Sequence, residues 1–346
     1  MGQSRTRSVL FLLIATAGLG VSAIASATFP GRNGRIAFAE AGNIFTMNSD
    51  GSDVRQVTSI GPGFMVPCCE AWSPDGQQLI FPVTNPDFSS IQLWITNADG
   101  SNQHIFLDDP AYLDTLPTFS PDGSHVIFSH CIPATFQCGI FRIRTDGTDL
   151  TQITGFDPDP DLTDFDPVYS PDGTNIAFTS LVRGGLIDVV YLMDADGSNI
   201  RSLTPPILGA VKPDWSPDGT RVAFSTEFQY DAPPCLPNPS IWSINSEDGQ
   251  TTQLTGSAHY LDLSPSWSPQ GDAIVFERDT LDGQTSIYVM KMGQITGTPM
   301  LIHQGPSTKR SGSATAGPAS GRNQVRVPRL KAIQQGGGFP RWGPAN

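Results

Sequence analysis

One short motif recurs five times in this chain, and its regular spacing restricts the folds that are open to it. Ser-Pro-Asp-Gly, or Ser-Pro-Gln-Gly in the last copy, begins at positions 73, 120, 170, 216 and 268, which are 46 to 52 residues apart. An aromatic residue precedes each copy, and an apolar run such as 79–81 follows it. A period of about 40 to 50 residues is typical of proteins in which one supersecondary unit is repeated.

Each repeat contains two places at which the chain reverses. In Ser-Pro-Asp-Gly, Pro presets the backbone, Asp bonds to the main chain, and Gly adopts the left-handed conformation of a tight turn. A second Asp-Gly pair follows, as at Asp99, Asp146, Asp196 and Asp248. Strand-like segments flank both turns, so every repeat predicts four antiparallel strands, which is the blade of a β-propeller.

Five complete repeats and one partial repeat predict an all-β fold, a six-bladed β-propeller of four-stranded antiparallel blades. The partial repeat spans 33–58 and lacks its first strand. Phe-Pro-Arg-Trp-Gly-Pro at 339–344 copies the pattern of that strand, with Gly in place of Ser. A closed ring leaves no exposed sheet edge, so we expect the C-terminal strand to complete the first blade. The alternative is a tail that matches the pattern by chance.

The N-terminal residues have the pattern of a secretory signal peptide. Arg5 and Arg7 precede an apolar stretch at 9–19, and Ala25, Ser26 and Ala27 form a small-residue cleavage site. Cleavage near Ala27 predicts a secreted or periplasmic protein without a membrane span. The predicted organisation is a signal peptide (1–27), a propeller (28–304), a flexible basic linker (305–338) and a closing strand (339–346).

The charged residues divide the chain into an acidic body and a basic C-terminal part. The chain has 33 acidic and 20 basic residues, and 306–346 contains seven Lys or Arg and no acidic residue. Without these seven and the two arginines of the signal, 11 basic residues remain against 33 acidic ones. Such a body repels nucleic acid and anionic membranes. We expect a monomer whose partner is a protein or an extracellular ligand.

The repeat motifs also resemble those of a known family. Trp-Ser-Pro-Asp-Gly at 72–76 and 215–219, and Asp-Ala-Asp-Gly-Ser-Asn at 194–199, are similar to the WD-repeat-like motifs of TolB-type β-propeller proteins. The resemblance implies a six-bladed propeller that binds proteins or ligands. TolB itself carries an additional N-terminal α/β domain, whereas the repeats here begin close to the predicted cleavage site, so the resemblance is to the propeller alone. A relation in fold to oligogalacturonate lyases would require His and other metal ligands at one mouth of the channel.

The order of the strands predicts which connections share a face. Both tight turns of each repeat lie on one face, the turn face. The second-to-third-strand loops and the links between repeats lie on the other, the loop-rich rim. The five cysteines fall on the rim: Cys68, Cys69, Cys131, Cys138 and Cys235. Cys131 and Cys138 are spaced to close one loop by a disulfide. Two pairings are open for the other cysteines: Cys68 with Cys69, or one of these two with Cys235.

Three aspartates share one repeat position and are candidate metal ligands. Asp114, Asp164 and Asp262 each lie five residues before the aromatic residue of their repeat. Hard cations such as calcium bind several oxygen ligands, so these residues would hold calcium if the protein has a cofactor at all. The alternative is that each Asp caps its own loop through backbone N–H groups.

Aromatic and histidine side chains of the rim are the candidate partner-binding residues: Tyr112, His130, Phe136, Phe228, Tyr230, His259 and Tyr260. Binding residues concentrate on the variable loops of a rigid scaffold. The sequence therefore favours an exported, non-catalytic binding scaffold, with no catalytic residue assigned. The alternative is a metal-dependent carbohydrate-active enzyme, a lyase or hydrolase, with its site at the channel mouth.

Overall fold

The computed structural model describes residues 29–156, 162–182, 185–227, 239–256, 259–293, 299–305 and 338–345. The predicted signal peptide, nearly all of the predicted linker, and the candidate residues Phe228, Tyr230 and Cys235 lie outside these described residues. Within them, the chain forms β-strands joined by turns and one short 3-10 helix at Pro206–Leu208. No helix in this part of the chain is long and apolar enough to cross a membrane.

Four antiparallel sheets of the described residues contain four strands each. The first consists of β24 (Gly338–Pro344), β1 (Asn33–Glu40), β2 (Asn43–Met47) and β3 (Arg55–Gln56), in that order. The second consists of β12 (Thr163–Tyr169), β13 (Asn175–Val182), β14 (Gly185–Asp194) and β15 (Arg201–Ser202). The third consists of β16 (Ala210–Trp215), β17 (Arg221–Thr226), β18 (Ile241–Asn245) and β19 (Thr251–Gln253). The fourth consists of β20 (Tyr260–Trp267), β21 (Ala273–Thr280), β22 (Thr285–Lys291) and β23 (Met300–Gln304).

The remaining eight strands form one sheet made of two antiparallel halves. One half consists of β4 (Ala71–Trp72), β5 (Gln78–Thr84), β6 (Ile91–Asn97) and β7 (His104–Leu107). The other consists of β8 (Leu113–Phe119), β9 (His125–Cys131), β10 (Cys138–Arg144) and β11 (Thr151–Gln152). A single parallel residue pair, Ile91 with Leu113, joins the halves. The predicted all-β propeller of four-stranded antiparallel blades is confirmed, whereas the number of blades stays a prediction because five sheets are seen.

The tight turn of the repeated motif owes its shape to one serine and one aspartate. Ser73 donates a hydrogen bond to Asp75 at 2.6 Å and accepts one from the backbone N–H of Gln78 at 2.9 Å. Gly76 completes the turn with a φ of 68°, which side-chain-bearing residues adopt only with strain. The next three repeats form the same Ser-to-Asp bond at 2.6 Å. Local chemistry therefore dictates where each second strand begins.

The second strands supply much of the apolar core. Each buries one Phe completely: Phe38, Phe81, Phe128, Phe178, Phe224 and Phe276. Full burial of such a side chain contributes about 1.5–3 kcal/mol. The repetition gives a chain with only 38% hydrophobic residues a buried aromatic residue at the same place in every repeat.

The first strand of each repeat contacts the first strand of the next, and the last of these strands contacts the first. Contacts join β4 to β8, β8 to β12, β12 to β16, β16 to β20, β20 to β24, and β24 back to β4. β24 also pairs antiparallel with β1, with Trp342 opposite Ile36. This is the pairing that the sequence predicted for the C-terminal strand, although the strand spans Gly338–Pro344 rather than 339–346.

Candidate functional site on the loop-rich rim

A bulge interrupts the first strand of four repeats and separates its turn-face half from its rim half, and a fifth repeat has the same backbone conformation just before its short first strand. One residue there is left-handed in each case: Cys69, Leu116, Asp166, Lys212 and Ser264, with φ between 56° and 76°. The pairing register shifts at the last four of these places. Bulges bend a strand and redirect its side chains, so the side chains before each bulge have a different environment from the buried aromatic residue after it.

The three candidate aspartates lie before these bulges, and each contacts a side chain 16 residues further along the chain. Asp114 Oδ1 lies 2.5 Å from His130 Nδ1, and Ser180 donates a hydrogen bond of 2.6 Å to Asp164. Arg278 donates two bonds to Asp262, at 2.6 and 2.9 Å.

Every one of these partners lies directly opposite its aspartate on the second strand. The contacts found for these aspartates thus run to side chains across the sheet. Among the residues that the structure describes, no group of three or more His, Cys, Asp and Glu is placed to hold a metal ion. A role of Asp114, Asp164 and Asp262 as metal ligands stays a prediction.

Arg278 is the centre of an aromatic cluster in the last repeat. Its guanidinium carbon lies 4.9 Å from the centre of the Tyr260 ring, 4.7 Å from that of Tyr288 and 5.5 Å from that of Phe276. Burial opposes its charge, but the hydrogen bonds and the charge of Asp262 raise the pKa of Arg278. The cation therefore remains charged beneath Tyr260, whose surface is 37% exposed.

His130 is the centre of a similar cluster in the third repeat. Tyr112 stacks on its imidazole with ring centres 3.9 Å apart, and Phe141 lies 4.4 Å away. Phe128 meets the imidazole edge-on at 6.0 Å. Burial raises the pKa of Asp114, and the hydrogen bond with His130 opposes that rise. His130 is almost fully buried, whereas Tyr112 is half-buried at the rim.

The two clusters occupy equivalent positions of their repeats. The aromatic residue that precedes the Ser-Pro motif serves as the reference in each repeat. The tyrosine lies seven residues before it and the aspartate five residues before it, and His130 or Arg278 lies eleven residues after it. Phe141 and Tyr288 are the cross-strand neighbours of Phe128 and Phe276. We call them the His130 cluster (Tyr112, Asp114, Phe128, His130 and Phe141) and the Arg278 cluster (Tyr260, Asp262, Phe276, Arg278 and Tyr288). Leu162 and Leu208 occupy the tyrosine position in two other repeats, so the tyrosine is not needed for the fold of a blade.

Two other candidate rim residues, His259 and Phe136, belong to neither cluster and have different surroundings. His259 is exposed next to Tyr260. Phe136 is half-buried and packs against an apolar cluster that contains all four described cysteines. Sequence reasoning missed Arg278, although the constant separation of 16 residues between each Asp and its partner was a signal that could have revealed it.

Two disulfides lie in that apolar cluster. Cys131 and Cys138 face each other across β9 and β10, with Cα atoms 4.0 Å apart, and are bonded as the sequence predicted. Cys68 and Cys69 are bonded to each other, which is one of the two pairings that the sequence left open. Both disulfides belong to the same buried apolar cluster as Leu116, which lies on the strand of Asp114.

Several carboxyl groups and two cations are buried in the interior of the protein. Burial lowers the pKa of Lys212, and Asp166 and Glu277 oppose that change. Burial also raises the pKa of Asp166 to about 7, with Lys212 opposing. Two carboxyl pairs lie nearby, Asp188 with Glu227 and Glu277 with Asp279, and burial raises the pKa of all four groups. Within the pairs, the charge of the neighbouring carboxyl adds to this rise for Asp188 and Glu277.

Arg341 brings a second cation into this interior from the C-terminal strand. It is 1% exposed, and its three guanidinium nitrogens have no hydrogen-bond partner in the described part of the chain. Burial lowers the pKa of Arg341 to about 10, against the charges of Asp214 and Glu70. Burial likewise raises the pKa of Glu70 to about 7. Glu70 stands where the other four complete repeats have Pro, a departure that sequence reasoning overlooked.

Comparison with known proteins adds information on the fold. No family model matches the chain, and no curated protein matches its sequence. The solved structure of TolB from Acinetobacter baumannii aligns with a TM-score of 0.64 and 18% identity over 90% of this chain and 67% of that one. A putative TolB from Agrobacterium tumefaciens aligns with a TM-score of 0.60 and 20% identity over 79% of this chain and 89% of that one.

A solved oligogalacturonate lyase from Vibrio parahaemolyticus is also similar, with a TM-score of 0.54 and 14% identity over 73% of this chain and 72% of that one. At such identities the likeness shows the fold alone. The molecule is thus an all-β propeller. Its fold is similar to that of TolB proteins, and this confirms the resemblance that the repeat motifs indicated.

Proposed function

We propose that this protein is an exported, non-catalytic six-bladed propeller that binds a protein or an extracellular ligand through its loop-rich rim. The observation that carries the proposal is the pair of equivalent clusters, each of which presents a tyrosine at the rim on a fixed support. A tyrosine held by stacking and ionic contacts loses little conformational entropy when it meets a partner. Tyr is also among the residues that are enriched in protein interfaces.

The succession of six first strands supports six blades. Each half of the eight-stranded sheet has the strand order of one blade, and the pair between Ile91 and Leu113 is then a contact between neighbours. The contacts of β24 with both β1 and β4 support its role as the closing strand of the first blade. In a six-bladed ring, the third and sixth blades, which carry the two clusters, lie on opposite sides of the channel.

The sequence before residue 28 supports export. Its basic start, apolar stretch and small-residue cleavage site are those of a secretory signal. The bond between Cys131 and Cys138 agrees with an oxidising compartment outside the cytosol. We therefore place the mature protein, as a monomer, in the periplasm or the medium.

The contacts of the rim favour binding over catalysis. Both oxygens of Asp262 accept hydrogen bonds from Arg278, and Asp114 is bonded to His130. A cation at these carboxylates would have to displace partners that are already in place. The similarity in fold to an oligogalacturonate lyase is the observation that favours the second candidate, a metal-dependent enzyme acting on carbohydrate.

One experiment separates the two functions. The exported protein serves as bait for the exported proteins and polysaccharides of its own cells, and the bait is compared with a Tyr112→Leu/Tyr260→Leu variant. We expect one partner that the wild type retains and the variant loses. In parallel, both proteins are incubated with oligogalacturonate and manganese or calcium. Metal-dependent cleavage of that substrate, or a partner that the variant retains fully, would overturn the binding proposal.

A further inference from the structure

We infer that the partner of the rim is a basic polypeptide segment whose Lys or Arg side chains lie against Tyr112 and Tyr260. The inference rests on the proposed function of the rim and adds the chemistry of the partner. Three observations carry it: the distribution of cations between the two faces, the acidic groups around the tyrosines, and the geometry of the tyrosines themselves.

Basic side chains are distributed unequally between the two faces. The described residues contain eleven Lys and Arg, and eight of them lie at or near strand ends that adjoin the turn face. These eight are Arg32, Arg35, Arg55, Arg142, Arg144, Arg201, Arg221 and Lys291. The remaining three are Arg278, which is bound to Asp262, and Lys212 and Arg341, which are buried. In the described part of the chain, the rim therefore has no exposed cation.

Acidic side chains are exposed on both faces, but on the turn face they are accompanied by cations, whereas on the described part of the rim they are not. Asp108 is exposed and Asp109 partly exposed in the link that leads to Tyr112, and the N–H of Tyr112 donates to the carbonyl oxygen of Asp109 at 3.0 Å. Asp282 is exposed in the loop that follows β21, the strand of Arg278. Asp87 is exposed in the loop between β5 and β6. Complementary charge selects partners and accelerates their encounter, so a surface of this kind selects a basic partner.

The tyrosines are placed to receive cations. The guanidinium of Arg278 already lies against Tyr260, and the imidazole of His130 against Tyr112, so each ring is fixed from within. The exposed part of each ring remains for an incoming group. Lys and Arg bind to aromatic faces by cation–π attraction, and Asp109 next to Tyr112 supplies a carboxylate for the same cation.

The position of the clusters favours a segment over a single ion. With six blades, Tyr112 and Tyr260 lie on opposite sides of the channel mouth. A single cation would contact one tyrosine, whereas an extended polypeptide, with about 3.3 Å per residue, can contact both. Nucleic acids and acidic polysaccharides are disfavoured by the same carboxylates, so binding of an acidic glycan is an outcome that would contradict the inference.

The test measures the affinity of the exported protein for labelled peptides of twelve Lys or twelve Glu, and for oligogalacturonate, at low and high salt. We expect the Lys peptide alone to bind, and to bind more weakly at high salt, since exposed charges are screened. Tyr112→Leu/Tyr260→Leu, which uses the residue that Leu162 and Leu208 provide in other repeats, should weaken that binding roughly 5- to 30-fold.

Two matched double variants show which face carries the carboxylates that bind the Lys peptide. Asp108→Asn/Asp109→Asn removes two carboxylates from the rim, and Asp146→Asn/Asp196→Asn removes two exposed ones from the turn face. Both change the net charge equally, and Asn keeps the side-chain oxygen that accepts a hydrogen bond from Gln92 at position 108 and from the backbone at positions 109, 146 and 196. We expect the rim variant to bind the Lys peptide more weakly and the turn-face variant to bind it like the wild type. Circular dichroism checks that all variants are folded.

The outcomes distinguish this inference from the proposed function. Equal loss in both Asn variants, or binding of the Glu peptide or oligogalacturonate, overturns the basic partner. If the rim tyrosines are needed for a cellular partner but not for the Lys peptide, the inference fails while the binding function stands. Binding that begins only after the Lys and Arg of 306–337 are replaced by Gln would identify the chain's own basic segment as the occupant, and would also overturn the inference.

Discussion

Arg278 engages both oxygens of Asp262 from the directly opposite position of the neighbouring strand, at 2.6 and 2.9 Å. The arginine side chain is 15% exposed and the aspartate side chain 2%. The pair thus anchors Tyr260 from below while it lies largely out of water. A buried ion pair of this kind contributes little net stability, but removal of one partner leaves the other charge without compensation.

The single variant Asp262→Ala should therefore lower the free energy of unfolding more than a double variant in which both charged side chains are replaced. We expect a loss of about 2–4 kcal/mol for Asp262→Ala and a partial recovery in Asp262→Ala/Arg278→Met, because Met replaces the charge with an apolar chain. Urea denaturation of the two variants and the wild type measures both values. A double variant that is less stable than Asp262→Ala would contradict this account.

Gly343 provides a second test, at the closing strand. It stands where five repeats have Ser, so Gly343→Ser would complete the motif. A Cβ at this position would lie only 2.7–2.9 Å from atoms of the Trp72 indole. We expect Gly343→Ser to cost about 1–3 kcal/mol through overpacking, as measured by thermal or urea unfolding.

Gly61→Ser is the control for that change, since a Cβ there has no neighbour within 4 Å. It should leave the stability within about 0.5 kcal/mol of the wild type. If Gly343→Ser is equally neutral, then β24 does not pack against Trp72 as closely as the structure places it.

The sequence predicted those features that depend on local chemistry. Ser73 and Asp75 form a turn within four residues, so the repeat reveals the strands and their number per blade. The contact of Asp262 with Arg278 was missed because it depends on the register across a sheet. The Coulombic interaction of Glu70 with Arg341 joins residues that are far apart in the sequence, and no local pattern encodes it. The candidate site was found only in part: Tyr112, His130 and Tyr260 were recognised as rim residues, whereas Arg278 would have required the separation of 16 residues to be interpreted as a cross-strand pairing.

The two disulfides should differ in their effect on stability. Cys131 and Cys138 are seven residues apart, whereas Cys68 and Cys69 are adjacent. In the chain-entropy account, closing a loop of this length stabilises by about 2–3 kcal/mol, and adjacent residues close almost no loop. Cys131→Ser/Cys138→Ser should therefore lower the midpoint of urea unfolding clearly more than Cys68→Ser/Cys69→Ser. Equal midpoints would show that the loop constraint is not the main contribution of the first bond.

The buried carboxyl groups predict that the protein is more stable at pH 5 than at pH 8. Burial raises the pKa of Glu70 and of Asp166 to about 7, from ordinary values of 4.5 and 3.8. At pH values between the unfolded and the folded pKa of each group, the folded chain binds more protons than the unfolded chain. The free energy of unfolding therefore falls as the pH rises from about 4 to 7. Each group contributes on the order of 3 kcal/mol to this fall.

Urea unfolding at intervals from pH 5 to pH 8 measures the slope, and two variants assign it. Glu70→Gln removes one titrating group and should flatten the curve. Arg341→Met removes a charge that opposes the rise in the pKa of Glu70, so it should extend the fall in stability to higher pH. A stability that increases from pH 5 to pH 8 in the wild type would mean that these carboxyl groups are paired and ionised in solution, contrary to their burial in the structure.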